Sequence, residues 1–143
     1  MNVNKIIVHH SASAKSTTKS DIEKWHKERG FAGVGYHMVI GANGTKEEGR
    51  SSSKAGAHAK GANSDSLGIC VTGNFETEAP DTKQVDALTE VLIKWCKEYK
   101  LKETDIYGHY NAPGGTTATS CPGKNLKSKL NQIKLDVKAK LYL

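Results

Sequence analysis

Short apolar runs alternate with polar, glycine-containing stretches along the whole chain. KIIVHHS, residues 5–11, is an apolar run that ends in polar residues, which predicts a buried strand. GANG, residues 41–44, predicts a hairpin turn, because Asn-Gly accepts a positive φ at both central positions. The predicted strands are 5–11, 34–40, 45–50, 67–73 and 104–110.

Three other segments have apolar positions at the 3.6-residue spacing of amphipathic helices. In the first segment, Thr18 can cap a helix with Asp21 at its third position, and Asp81 and Gln84 form the same kind of pair in the second. The predicted helices cover 17–30, begin at Asp81 and begin near Asn125.

The order of these elements predicts an α/β fold. We expect a mixed central β-sheet of about five strands flanked by about three helices. A chain of 143 residues suits one domain with a hydrophobic core, and no internal repeat or linker divides it. The long segment 51–66 is polar and rich in small residues, and loops of this kind are often functional.

Composition argues against a membrane protein and leaves the partner open. With 36% apolar and 25% charged residues, the chain has no window that approaches the length of a membrane span. Its first residues, MNVNKIIVHHS, hold too short an apolar run for a signal peptide, so we expect synthesis in the cytoplasm. The net charge of +6 favours anionic partners, but no nucleic-acid-binding motif accompanies the lysines. We therefore interpret the charge as a general surface property.

The chain has three cysteines, and a low odd number argues against a disulfide framework. Cys70 lies in a predicted strand and Cys96 on the apolar face of a predicted helix, so both are expected to be buried. Cys121 lies in the loop sequence TTATSCPG and needs another explanation.

Histidines at two strand ends offer that explanation. His9 and His10 end the first predicted strand, and His109 ends the last one. Strand ends place side chains at the rim of a sheet, where α/β proteins tend to have their sites. Two imidazoles and the Cys121 thiolate would form a three-ligand zinc site whose fourth position is open to water, as in catalytic sites. Spacing alone leaves a second interpretation open, in which each histidine is only hydrogen-bonded in its strand.

Four stretches of sequence occur in an order and at separations typical of one enzyme family. They are IIVHHSAS, DIEKWHKERGFAGVGYHMVIGANGT, GRSSSKAGAHAKGANSDSLGICVTGNF and GHYNAPGGTTATSCPG. They resemble the type 2 N-acetylmuramoyl-L-alanine amidases, a family that includes phage endolysin amidases and peptidoglycan recognition proteins. The resemblance implies a zinc-dependent amidase that hydrolyses the amide between the lactyl group of N-acetylmuramic acid and L-alanine of peptidoglycan. It also implies one catalytic domain over 1–143, without a separate cell-wall-binding domain.

The resemblance assigns the metal ligands and two catalytic residues. It implies that His9, His109 and Cys121 bind one catalytic Zn²⁺ ion. Tyr36 would donate a hydrogen bond to the metal-bound water or to the tetrahedral oxyanion, although a strand tyrosine can also serve packing alone. Thr119 stands where many phage members have Lys, so an uncharged hydroxyl would act there. The strand predicted over 67–73 contains no Asp or Glu, so we assign no carboxylate base.

The polar segment is expected to contribute the substrate groove. By the resemblance, His58 contacts the glycan or the stem peptide, and Lys60, Asn63 and Ser66 are weaker candidates for the same role. The alternative for His58 is a solvent-exposed loop histidine. The histidines interpreted as structural are His26 and His37.

The sequence therefore predicts a zinc amidase that acts on peptidoglycan as a phage or prophage endolysin, released through a holin-type pore. A bacterial recycling or autolytic enzyme is an alternative biological setting. Two other functions stay open: a recognition module that binds peptidoglycan without cleaving it, and a basic nucleic-acid-binding protein. A full ligand set favours the enzyme, because non-catalytic relatives typically lack the cysteine. We expect peptidoglycan as the partner, no nucleic acid, no membrane and a monomer.

Overall fold

Five strands form one mixed sheet, which confirms the predicted fold class. The structure is a computed structural model that describes residues 1–142. The strands are β1 (Lys5–His10), β2 (Met38–Ile40), β3 (Lys46–Glu48), β4 (Ser66–Val71) and β5 (Ile106–Gly108). Their order in the sheet is β3-β2-β4-β1-β5, and β3 pairs antiparallel with β2 while the other pairs are parallel.

The helices are α1 (Lys19–Glu28), α2 (Thr82–Tyr99) and α3 (Lys124–Leu141). Helices α1 and α2 begin directly after their predicted capping residues, and α3 begins close to the predicted Asn125. Thr18 and Asp21 form a capping box on α1, and Asp81 and Gln84 form one on α2, so four backbone N–H groups at these ends gain partners. Within residues 1–142, none of the helices combines the length and the apolar character that crossing a bilayer requires.

Side chains alternate across β1 and β4, and the two faces differ in character. Ile6 and Val8 of β1 join Leu67 and Ile69 of β4 in the main core, which α2 and α3 cover. We call this the helix-packed face. The opposite face carries His9 of β1 together with Ser66, Gly68 and Cys70 of β4, and we call it the site face.

The strand predicted over 34–40 is shorter in the structure, where only Met38–Ile40 is regular. The Gly35 N–H donates to Nδ1 of His26 at 2.8 Å, and the Gly35 carbonyl accepts from the backbone of Ala57 at 3.0 Å. The first half of the predicted strand therefore hydrogen-bonds to α1 and to the loop after β3. The hairpin turn is confirmed, with φ of 63° at Asn43 and 76° at Gly44.

Candidate active site

Three side chains that lie far apart in the sequence converge at the carboxyl end of the parallel strands. One donor atom each from His9, His109 and Cys121 lies within 4.8 Å of the others. His9 is in β1 and His109 directly follows β5, so the parallel pairing of these strands brings both to the same edge of the sheet. Cys121 reaches them from the loop before α3. His10 turns to the opposite face, where its Nδ1 accepts from the Phe75 N–H at 3.1 Å.

A zinc ion would fit the distance between two of these atoms and would supply the partner that a third atom lacks. Nδ1 of His9 lies 3.6 Å from Sγ of Cys121. Zinc bonds to histidine and cysteine in a tetrahedral site would separate such a nitrogen and sulfur by about 3.6 Å. Nε2 of His109 is buried, and it has no hydrogen-bond partner among the described residues. A buried nitrogen without a partner is costly, so a ligand at this point would satisfy it.

Electrostatics keeps the two imidazoles in the form that binds metals. Burial lowers the pKa of His9 well below its ordinary value, and the neighbouring imidazoles of His58 and His109 act in the same direction. Burial also lowers the pKa of His109, opposed by a backbone hydrogen bond with Thr116. Burial raises the pKa of Cys121 to about 12, against the effect of the His10 N–H that donates to its sulfur. The histidines are therefore neutral, and the thiolate requires a nearby cation.

A cavity of about 610 Å³ lies over the three donors. It is lined by the predicted catalytic pair Tyr36 and Thr119 and by the predicted substrate residues His58, Lys60 and Asn63. Arg29 and Phe31, at the end of α1, also line it and were missed in the sequence. The signal was weak, since only a cation and an aromatic residue flanking the helix-ending Gly30 marked them. The guanidinium of Arg29 lies 5.1 Å from the centre of the Phe31 ring.

Tyr36 and Thr119 both line this space and carry hydroxyl groups. The ring centre of Tyr36 lies 5.2 Å from that of His9. Burial raises the pKa of Tyr36 well above its ordinary value, so the phenol keeps its hydrogen at neutral pH. Oγ1 of Thr119 accepts from the Cys121 N–H at 3.2 Å, which leaves the hydroxyl hydrogen available to another acceptor.

The other predicted substrate residues differ in what they can reach. Lys60 is exposed at the rim. Oδ1 of Asn63 accepts from the N–H groups of His58 and Ala59 at 2.9 and 2.8 Å, so this side chain also shapes the loop. The expectation for Ser66 is wrong, because Ser66 is completely buried and its hydroxyl donates to the Ala62 carbonyl at 2.6 Å.

The residues interpreted as structural are buried, as the sequence predicts. His37 accepts from the Gly68 N–H at 3.0 Å through Nδ1, while its Nε2 lies 2.8 Å from the Lys54 carbonyl. Both ring nitrogens are therefore satisfied by backbone. His26 accepts from Gly35 and lies partly along the cavity wall. Cys70 and Cys96 are buried free thiols.

An open cavity over a His-His-Cys donor set, at the edge of a mixed sheet, defines an α/β protein with a candidate catalytic metal centre. Residues 1–124 match the family described as N-acetylmuramoyl-L-alanine amidase. The endolysin of Klebsiella phage KP32 is 33% identical over 128 residues, which cover 86% of this chain and 82% of that protein. The chain therefore belongs to the N-acetylmuramoyl-L-alanine amidase family.

Further relatives come from both branches that the sequence resembles. The structure of N-acetylmuramoyl-L-alanine amidase LysC from Clostridium intestinale superposes with a TM-score of 0.83 at 32% identity, covering all of this chain and 87% of that one. Peptidoglycan-recognition protein SD of Drosophila melanogaster is 41% identical over 103 residues, which cover 71% of this chain and 53% of that protein. The fold and the sequence thus agree on the family.

Proposed function

We propose that this amidase uses one zinc ion, held by His9, His109 and Cys121, to hydrolyse the amide between N-acetylmuramic acid and L-alanine in peptidoglycan. The observation that carries the proposal is the convergence of three metal-binding atoms within 4.8 Å beneath an open cavity. An open fourth position is the mark of a catalytic zinc site, as opposed to a closed structural one. Family membership identifies the amide bond.

Zinc, when bound, would supply Lewis acidity toward the scissile carbonyl and a water molecule. Tyr36 would donate a hydrogen bond from its protonated phenol to the oxygen on which negative charge develops. Thr119 would add a second neutral donor, since its oxygen already accepts from Cys121 and its hydrogen is available. No Asp or Glu lines the cavity within residues 1–142, so we assign no carboxylate base.

Substrate recognition is proposed to involve the rim of the cavity. Lys60 carries a positive charge there, which suits the carboxylates of a stem peptide. The amide nitrogen of Asn63 stays available because only its oxygen is occupied by the loop backbone. His58 has both ring nitrogens engaged by protein groups, so its contribution is of another kind.

The relatives named endolysins support a phage or prophage setting. We propose that the chain is made in the cytoplasm and acts on the wall after holin-type release, as a monomer. In this setting the substrate is the intact wall polymer, which fits a cavity open to solvent.

Digestion of purified murein tests the proposed function. The zinc-loaded protein should release free stem peptides that begin with L-Ala and leave intact glycan strands, as detected by mass spectrometry. Chelation should abolish the release, and added zinc should restore it. Binding to murein without any released peptide would contradict the proposal and indicate a recognition module.

A further inference from the structure

A continuous line of hydrogen bonds leads from His9 through His58 to the buried Ser66. Nε2 of His9 lies 2.8 Å from Nδ1 of His58, and Nε2 of His58 lies 3.3 Å from the hydroxyl oxygen of Ser66. That hydroxyl donates to the Ala62 carbonyl at 2.6 Å. We propose that His58 and Ser66 are positioning residues, which hold the His9 ring in the tautomer and orientation that metal binding requires. The inference rests on the proposed zinc site.

A metal bound to Nδ1 of His9 would fix the direction of every bond in this line. A neutral imidazole carries one hydrogen, so a metal on Nδ1 of His9 requires that hydrogen on Nε2. It is then donated to Nδ1 of His58, and the hydrogen of His58 must lie on its own Nε2. Ser66 accepts there and uses its hydroxyl hydrogen for the Ala62 carbonyl. The opposite direction would put a hydrogen on Nδ1 of His9 and exclude the metal.

The ring of His58 occupies space that two glycines leave free. A Cβ atom built on Gly68 would lie 2.5 Å from Cγ of His58, and one built on Gly56 would lie 2.5 Å from its Cδ2. Both glycines are thus required for the ring to occupy this position. The His58 N–H is in turn held by the side chain of Asn63 at 2.9 Å. A histidine that only met substrate from a loop would not need this packing.

The line therefore reaches from the metal centre into the buried start of β4. Ser66 is completely buried and cannot respond to substrate. Groups that hydrogen-bond to the second ring nitrogen of a metal-ligating histidine orient that ring, and their loss typically weakens metal affinity about 10- to 100-fold.

Zinc affinity of the full chain, measured by competition with a chromophoric chelator, tests the inference without any assay of hydrolysis. His58→Leu removes the acceptor and should weaken zinc binding about 10- to 100-fold. His58→Asn places an amide oxygen near the position of Nδ1 and should recover most of that loss. Ser66→Ala removes one neutral hydrogen bond and should weaken zinc binding about 2- to 10-fold. His26→Asn, the same substitution at a histidine that does not touch His9, should bind zinc as the wild type does.

Nitrogen NMR of the zinc-loaded protein gives a second readout that a merely structural role would not determine. The hydrogens of His9 and His58 should both be found on Nε2. A hydrogen on Nδ1 of His58 would overturn the inference, whatever the affinities of the variants. This measurement uses the wild type, so it also decides the matter if His58→Leu fails to fold.

The outcomes separate the inference from the proposed function. If the wild-type protein bound no zinc, the result would contradict the proposed function itself. Wild type that binds zinc, with His58→Leu and Ser66→Ala binding equally tightly, would overturn only the positioning role. If His58→Asn and His58→Leu raised KM at unchanged zinc affinity, His58 would be a substrate contact and the inference would be wrong.

Discussion

On β4, Leu67 and Ile69 pack under α2 and α3, whereas Ser66 and Gly68 on the other face contact His58. The helix-packed face is a continuous apolar core. Among residues 1–142, the site face has only small apolar clusters, and its shape depends on hydrogen-bonded imidazoles and on glycines that leave space for them. Side chains on one face of β4 thus stabilise the fold by burial, and residues on its other face position the imidazoles of the candidate site. Substitutions on the two faces should therefore affect different measurements.

The largest effect is expected when a metal ligand is removed from the site face. Cys121→Ala should reduce zinc content and murein hydrolysis below detection, because only two protein ligands remain. Metal analysis of the purified protein and mass spectrometry of digests measure the two losses. Cys96→Ala, on α2 in the core that covers the helix-packed face, is the control and should keep both properties. Full turnover by Cys121→Ala would show that the ligand assignment is wrong.

The helix-packed face should respond in stability. Leu88 on α2 is completely buried, so Leu88→Ala should lower the free energy of unfolding by about 2–5 kcal/mol in urea titrations. Leu135 on α3 is 57% exposed, and Leu135→Ala should change the free energy of unfolding by less than about 0.5 kcal/mol. Folded Leu88→Ala should keep the zinc affinity of the wild type. A large loss of zinc affinity in that variant would mean that the two faces are coupled.

Tyr36→Phe should damage the chemistry without emptying the metal site. Loss of one donor to a developing oxyanion typically lowers kcat about 10²- to 10³-fold. Zinc affinity should stay close to that of the wild type, because Tyr36 is not one of the three donors. Tyr142→Phe removes the same hydroxyl from a side chain that is 62% exposed, and it should leave kcat unchanged. Unchanged kcat in Tyr36→Phe would assign this tyrosine to packing.

The smallest expected effect is a change in how stability depends on pH, caused by the structural histidine His26. Burial lowers the pKa of His26, and the nearby cations Arg29 and Arg50 act in the same direction. In the unfolded chain a histidine binds its proton below about pH 6.5, while folded His26 stays neutral to lower pH. The unfolded state therefore binds more protons in that window, and stability is lost as the pH falls through it. The aromatic rings of Phe31 and Tyr36 complete its surroundings.

His26→Asn should make this acid destabilisation less steep, because Asn keeps an acceptor for the Gly35 N–H and does not titrate. The free energy of unfolding at pH 7 and at pH 5 measures the difference between variant and wild type. An equal decline in both proteins would show that other histidines carry the effect.

Much of the architecture could be predicted from local pattern. The capping boxes at Thr18 and Asp81 and the hairpin at Asn43 depend on residues within a few positions of one another, so their chemistry is visible in the sequence. The regular strand expected from residue 34 was wrong in its first half. There the backbone at Gly35 bonds to His26 and Ala57, which are distant partners that no local pattern reveals.

The candidate site likewise has residues that the sequence could identify and a residue whose position only the structure could show. The resemblance of the motifs selected His9, His109, Cys121, Tyr36 and Thr119, and the structure brings all five to one cavity. It could not show that Ser66 is buried beneath His58, because strand alternation leaves open which loop covers which face.

Taken by itself, the sequence determined the element types, the apolar stripes and the identities of the chemical groups, because these depend on residue type and short spacing. Only the tertiary structure decided that sulfur and nitrogen atoms 112 positions apart lie 3.6 Å from each other. It also decided that Nδ1 of His58 lies 2.8 Å from Nε2 of His9, in space that Gly56 and Gly68 leave free. The physical reason is that hydrogen bonds and metal ligation act over a few ångströms in space, and parallel strand pairing sets which distant residues share that space.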